Sequence, residues 1–93
     1  MKEITFNDFY QLYQKDSLSV LDVREVEEFE ALHLEGARNL PLSQLADTYD
    51  QLDKSQSYYV ICKSGKRSAR ACQFLAERGY EVINVQGGMD ALE

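Results

Sequence analysis

Tyr58-Tyr59-Val60-Ile61-Cys62-Lys63-Ser64-Gly65-Lys66-Arg67 passes from one kind of structure to another. Tyr58 to Cys62 is a β-type run without polar interruption, as expected of a central strand covered on both faces. Lys63 to Lys66 is a short polar loop containing Gly65, and a helical pattern follows from about Arg67 to Arg78, where Gly79 stops it. Strand, tight loop and helix in immediate succession are half of a βαβ unit, and the rest of the chain repeats the alternation.

Working outward, Glu81 to Val85 reads as a last strand, and Gln86-Gly87-Gly88-Met89 as a tight turn into a short terminal helix. Upstream, Leu42, Leu45, Ala46, Tyr49 and Leu52 lie at i, i+3, i+4, i+7 and i+10, which predicts one amphipathic helix. Arg38 to Leu40 is a short strand, Glu25 to Ala31 a short helix with Val26 and Phe29 inward, and Ser17 to Val23 a buried strand. Ile4 to Phe6 is a first strand. Asn7 is the expected cap of a helix whose inner face is Phe9, Leu12 and Tyr13. The fold class expected is α/β with a mainly parallel sheet. Ligands of such sheets bind beyond the carboxyl ends of the strands, where Cys62, Asp22 and Arg24 fall.

At 93 residues the chain is expected to be one domain, residues 1–93, and to be complete. The start Met1-Lys2-Glu3-Ile4-Thr5 lacks the apolar core of a secretory signal, so a cytoplasmic location is expected. Net charge is −6, which argues against nucleic-acid and anionic-membrane partners. The charge is unevenly spread. Glu25 to Glu35 holds five glutamates and no lysine or arginine, whereas Lys63, Lys66, Arg67 and Arg70 crowd the loop after Cys62 with no acid among them. That segment suits a small anion, although a solvated basic helix start would look the same. Two cysteines and one histidine, His33, make neither a disulfide framework nor a metal site, so no metal is expected.

Cys62 is the candidate nucleophile. A thiol reacts as thiolate, and three features favour that form: converging loop N–H groups, the positive end of the following helix, and the charges of Lys63, Lys66 and Arg67. Gly65 permits a backbone that curls around the sulfur. A buried core cysteine at a strand end is the plainer alternative. Cys72, on the helix face with Ala69, Leu75 and Ala76, reads as core. His33, between Leu32 and Leu34, reads as a structural hydrogen-bonding group, and Asp22 and Arg24 as supports that fix neighbouring loops.

Cys62-Lys63-Ser64-Gly65-Lys66-Arg67-Ser68 resembles the active-site loop of rhodanese domains. Leu21-Asp22-Val23-Arg24-Glu25 with Glu28-Phe29, and His33-Leu34-Glu35-Gly36-Ala37-Arg38-Asn39-Leu40-Pro41, are similar to two upstream signatures of that family. Val85-Gln86-Gly87-Gly88-Met89 is similar to its closing one. Each pattern is weak alone, and four in order are strong. The resemblance implies a three-layer α/β/α sandwich around a sheet of about five strands. It further implies a sulfurtransferase in which Cys62 takes sulfane sulfur from a small anionic donor such as thiosulfate. Cys62 then holds the sulfur as a persulfide and passes it to cyanide, a thiol or a protein acceptor. Backbone amides from Lys63 to Arg67 would hold the persulfide, Lys63 and Lys66 would attract the donor, and Arg67 would bind substrate or brace the loop. No organic cofactor is implied.

Two alternatives stay open. Phosphatases and arsenate reductases of the same fold have five residues between cysteine and arginine, and here four separate Cys62 from Arg67. A non-catalytic interaction module of the family is the other. The chain departs from the pattern at its end: where the family commonly has an aromatic after the double glycine, it has Leu92 and then Glu93, which places that end's packing in question.

Overall fold

The computed structural model describes residues 1–92. Five parallel strands form one sheet: β1 (Lys2–Thr5), β2 (Ser19–Asp22), β3 (Arg38–Asn39), β4 (Ser57–Ile61) and β5 (Glu81–Gln86), in the order β1-β5-β4-β2-β3. The helices are α1 (Phe6–Lys15), α2 (Val26–Ala31), α3 (Leu45–Thr48) and α4 (Lys66–Ala76), with a final 3-10 turn at Gly88–Leu92.

Strand β4 explains the layering. Its side chains alternate between two cores, as the pleat demands. Tyr58, Val60 and then Cys62 face one, with Leu21, Leu45, Leu52, Ala71, Cys72, Leu75 and Val82. Ile61 faces the other, with Phe6, Phe9, Val20, Val85 and Met89, and half-buried Tyr59 packs against it. The sheet is therefore a middle layer, with α4 and the α3 region on one face and α1 with the terminal turn on the other. This is the expected α/β/α sandwich.

Several details differ from the sequence-based expectation. Strand β1 ends at Thr5 and Phe6 already belongs to α1. The cap is Thr5, not Asn7, and its Oγ1 accepts the Asp8 N–H at 3.2 Å. Leu12 is exposed while Phe6 and Phe9 are buried, so the inner face of α1 is turned toward its aromatic residues. Helix α2 buries no side chain, and Val26 is 41% exposed. The single helix expected over Leu42–Leu52 is instead a 3-10 turn (Leu42–Gln44), the one-turn α3, and a second 3-10 turn (Tyr49–Gln51). Leu45 and Leu52 are buried as the periodicity requires. The backbone between them is poor helix material: Thr48 Oγ1 donates back to the Gln44 carbonyl at 2.9 Å, a contact that competes with the regular ladder. At the other end Leu92 is half-buried against the Phe6–Phe9 core, so it packs there in place of an aromatic.

Candidate functional site

Cys62 follows the last residue of β4, at the carboxyl edge of the sheet between β2 and β5. Three residues, Lys63 to Gly65, carry the chain from it to α4. The turn closes because Gly65, the N-cap of α4, takes φ +98°, in the left-handed region that side chains resist. Gly65 also lies tight against β5, where an added Cβ would sit 3.2 Å from Gly87 N.

A glycine N-cap has no side chain with which to satisfy the spare N–H groups of the first helical turn. Cys62 does so instead. The Gly65 N–H donates to its Sγ at 3.1 Å, and the Ser64 and Ser68 N–H groups also favour the anion there. The sulfur thus stands at the start of α4 in the place of a capping oxygen, where the positive end of the helix acts on it.

Two buried polar residues support the sulfur from below. The Cys62 thiol donates to Ser68 Oγ at 3.3 Å, and the Ser68 hydroxyl donates to Asn84 Oδ1 at 2.5 Å. Asn84 Nδ2 donates to the Gly65 carbonyl and to Glu3 Oε2, each at 3.3 Å. Once Cys62 is ionised, the Ser68 hydroxyl has a better acceptor in Sγ than in an amide oxygen. Burial is the largest influence on the Cys62 thiol and pushes its pKa up. The Ser68 hydroxyl and the N–H groups of Ser68, Gly65 and Ser64 together outweigh it, and the pKa lies below the ordinary thiol value of 9.0.

The far side of the loop is clamped by the terminal turn. Met89 N–H donates to the Cys62 carbonyl at 2.8 Å and Asp90 N–H to the Lys63 carbonyl at 2.9 Å. Gly88 makes this approach possible: its φ is +55°, and a Cβ there would fall 2.3 Å from the Cys62 carbonyl oxygen. The double glycine therefore does more than turn the chain; it lets one backbone rest on another.

Two of the three loop cations are paired with carboxylates. Arg67 Nη1 and Nη2 reach Glu28 Oε1 and Oε2 of α2 at 2.7 and 3.0 Å. That guanidinium, chiefly through its hydrogen bonds, holds the Glu28 carboxyl down at about 2. Lys63 Nζ pairs with Asp90 Oδ1 at 2.7 Å. Lys66 is exposed and has no ion pair among the described residues.

Asp22 and Arg24 lie at the neighbouring strand end, both buried. The Asp22 carboxylate accepts from Arg24 N–H at 3.0 Å and from Arg24 Nη2 at 2.8 Å, and Arg24 Nη2 also donates to the Leu32 carbonyl at 2.7 Å. Asn39 Nδ2 donates to the carbonyls of both residues, at 3.0 and 2.9 Å. This network ties β2, β3 and the end of α2 together. Val23 N–H, between them, bonds the Ile61 carbonyl at 3.0 Å, which registers the whole group against the base of the Cys62 loop. His33 stacks on Phe29 at 3.8 Å and its Nδ1 bonds the Phe29 carbonyl at 2.7 Å, so its contacts are with α2.

Sequence reasoning missed Ser68, Asn84, Glu28 and Asp90 as site residues. Asn84 left a trace: it is the one polar position inside the apolar run Val82 to Val85.

A family model for the rhodanese-like domain matches residues 5–93. The chain belongs to the rhodanese family. Among curated proteins, this rhodanese domain is 32% identical over 91 residues to "Thiosulfate sulfurtransferase GlpE" of Shewanella oneidensis, covering 97% of this chain and 90% of that protein. It is 39% identical over 89 residues to "Putative sulfur carrier protein YrkF" of Bacillus subtilis, covering 94% of this chain. The match spans only 48% of that relative, about half its length. Among solved structures, the rhodanese-like domain protein of Staphylococcus aureus superposes with a TM-score of 0.93 at 30% identity, covering all of this chain and 92% of that one.

Proposed function

We propose that this rhodanese domain is a sulfurtransferase that carries sulfane sulfur as a persulfide on Cys62. The observation that carries the reading is the position of Sγ: a buried sulfur whose neighbours are backbone N–H groups and a hydroxyl, in surroundings that lower its pKa. A relative named as a thiosulfate sulfurtransferase supports the same chemistry.

The Cys62 thiolate attacks the outer sulfur of thiosulfate. The new Sγ–S bond forms as the S–S bond to the sulfonate sulfur breaks, and sulfite leaves with the electron pair. An acceptor thiolate, or cyanide, then attacks the outer sulfur of the persulfide, and Cys62 departs as thiolate. The cycle is a double displacement. Ser64, Gly65 and Ser68 N–H groups stabilise the anion at each stage, Lys66 draws an anionic donor to the mouth, and Lys63 and Arg67 hold the loop through Asp90 and Glu28. Asp22 and Arg24 support the adjoining strand end. The persulfide is itself the carrier, so the cycle calls for no organic cofactor or metal. Cys62 is 0% exposed in the resting loop, so loading requires the loop to yield by about the width of one atom.

That complete burial favours a second reading, a non-catalytic interaction module. Mass spectrometry after thiosulfate or persulfide treatment separates them. The sulfurtransferase reading expects one added sulfur on the Cys62 peptide, lost on adding a thiol and absent in Cys62→Ser. No adduct on Cys62 with either donor overturns it, and Cys62-dependent hydrolysis of an aryl phosphate would move the domain to the phosphatases.

A further inference from the structure

Sequence alone counts three cations around Cys62, at Lys63, Lys66 and Arg67, and three would suit a dianion such as thiosulfate. The structure changes that count. Glu28 meets the Arg67 guanidinium fork to fork, with distances of 2.7 and 3.0 Å, and both side chains are about two-thirds buried (32% and 34% exposed). Such bidentate pairing uses the guanidinium's best donor edge and neutralises its charge.

Glu28 is also not free to swing aside. Its Oε1 accepts the Glu25 N–H at 3.2 Å in the capping box that starts α2, so releasing Arg67 would disturb the helix start. Asp90 offsets Lys63 at 2.7 Å. Two carboxylates against three cations leave about one net positive charge, and the Cys62 thiolate already balances it. A dianionic donor would enter with no charge left to meet it, whereas a monoanionic donor incurs much less repulsion.

We propose that Glu28 is a specificity-determining residue: by occupying Arg67 it biases the site against dianionic thiosulfate and toward sulfane donors of charge −1 or less, such as thiosulfonates and the persulfides of uncharged thiols. This inference rests on the sulfurtransferase reading and deepens it. Glu28 does most to raise the Arg67 pKa, and the nearby Cys62 adds to the rise.

The test compares thiosulfate with methanethiosulfonate. Both present an outer sulfur to Cys62; one releases sulfite and the other methanesulfinate, and they differ by one unit of charge. kcat/KM for sulfur transfer to a thiol is measured for wild type, Glu28→Gln and Glu27→Gln, with Cys62 loading followed by mass. Gln at 28 keeps the capping-box acceptor and removes the charge. Glu28→Gln is expected to raise kcat/KM for thiosulfate about fivefold to tenfold and for methanethiosulfonate about twofold at low salt. Glu27→Gln, which removes an exposed charge not paired with Arg67, is expected to change both by less than about twofold. Equal effects on both donors, or a Glu28→Gln effect no larger than that of Glu27→Gln, overturn the inference.

A second arm needs no variant. Wild-type kcat/KM for thiosulfate should stay level or rise with ionic strength, because the one loop cation without an ion pair among the described residues, Lys66, is offset by the Cys62 thiolate. A steep fall with salt would contradict the inference even if Glu28→Gln did not fold. If neither donor loads Cys62 in wild type, the sulfurtransferase reading itself fails. If both load but Glu28 does not discriminate between them, only the present inference fails.

Discussion

Cys62 and Cys72 are equally closed to water, both 0% exposed and both in contact with the same core. Their thiols are nevertheless driven in opposite directions. Burial pushes Cys72 up to about 12, and the neighbouring Cys62 adds to the rise. Burial pushes Cys62 up as well, yet its value ends below the ordinary 9.0. Both environments come from α4. Cys72 sits mid-helix, where backbone N–H groups are already spent on the ladder, while Cys62 sits at the start, where they are spare. A hollow of about 650 Å³ lies beside Cys72, lined by Lys2, Gln73, Glu77, Tyr80 and Val82. Room next to a sulfur is therefore a poor guide to reactivity here; unspent donors are the better one.

The contrast between the two thiols depends most on Gly88. Gly88→Ala puts a methyl group against the Cys62 and Lys63 carbonyls and strains a positive φ, so the clamp on the loop must move. The expected loss is about 2–4 kcal/mol in urea unfolding, with slower Cys62 alkylation in the fraction that remains folded. Unchanged stability and unchanged alkylation would show that the clamp is idle.

Ser68→Ala removes the hydroxyl beneath Sγ and leaves the Asn84 amide oxygen without its donor. Alkylation of Cys62 near neutral pH is expected to slow about tenfold, because one hydrogen bond to an anion is worth about 1.5–3 kcal/mol. The sign follows from the direction of the shift: a higher pKa leaves less thiolate at any pH below it. Cys72→Ala should cost only about 1 kcal/mol in stability, through a small cavity, and leave the Cys62 rate unchanged. A large drop in that rate would make Cys72 a partner of Cys62 and erase the distinction drawn between them.

Much of this was legible in residues. The unbroken run Tyr58 to Cys62 located a central strand because only a strand covered on both faces is apolar throughout. The loop was visible because a glycine and three cations follow that strand at once. Other features needed three dimensions. Leu42 to Leu52 shows which side chains face inward, and a periodicity near three suits short 3-10 turns as well as one helix. Thr5-Phe6-Asn7-Asp8 carries a capping pattern that points to Thr5, but Asn7 stands nearer to where a strand through Phe6 would end. The pairing of Arg67 with Glu28 joins residues far apart in sequence, and no local pattern could show that a basic loop is largely neutralised. Ser68 lay within the recognised loop, yet its role depends on Asn84 of β5 reaching it across the core.

The central claim is that spare N–H groups and a hydroxyl outweigh burial at Cys62. Its most direct test is the pH dependence of iodoacetamide alkylation, resolved by peptide mass spectrometry so that each cysteine is followed separately. The prediction is a Cys62 half-maximal point below the ordinary thiol value of 9.0, with Cys72 silent across the range where the protein stays folded. A Cys62 midpoint at or above that value, or two cysteines reacting alike, would contradict it.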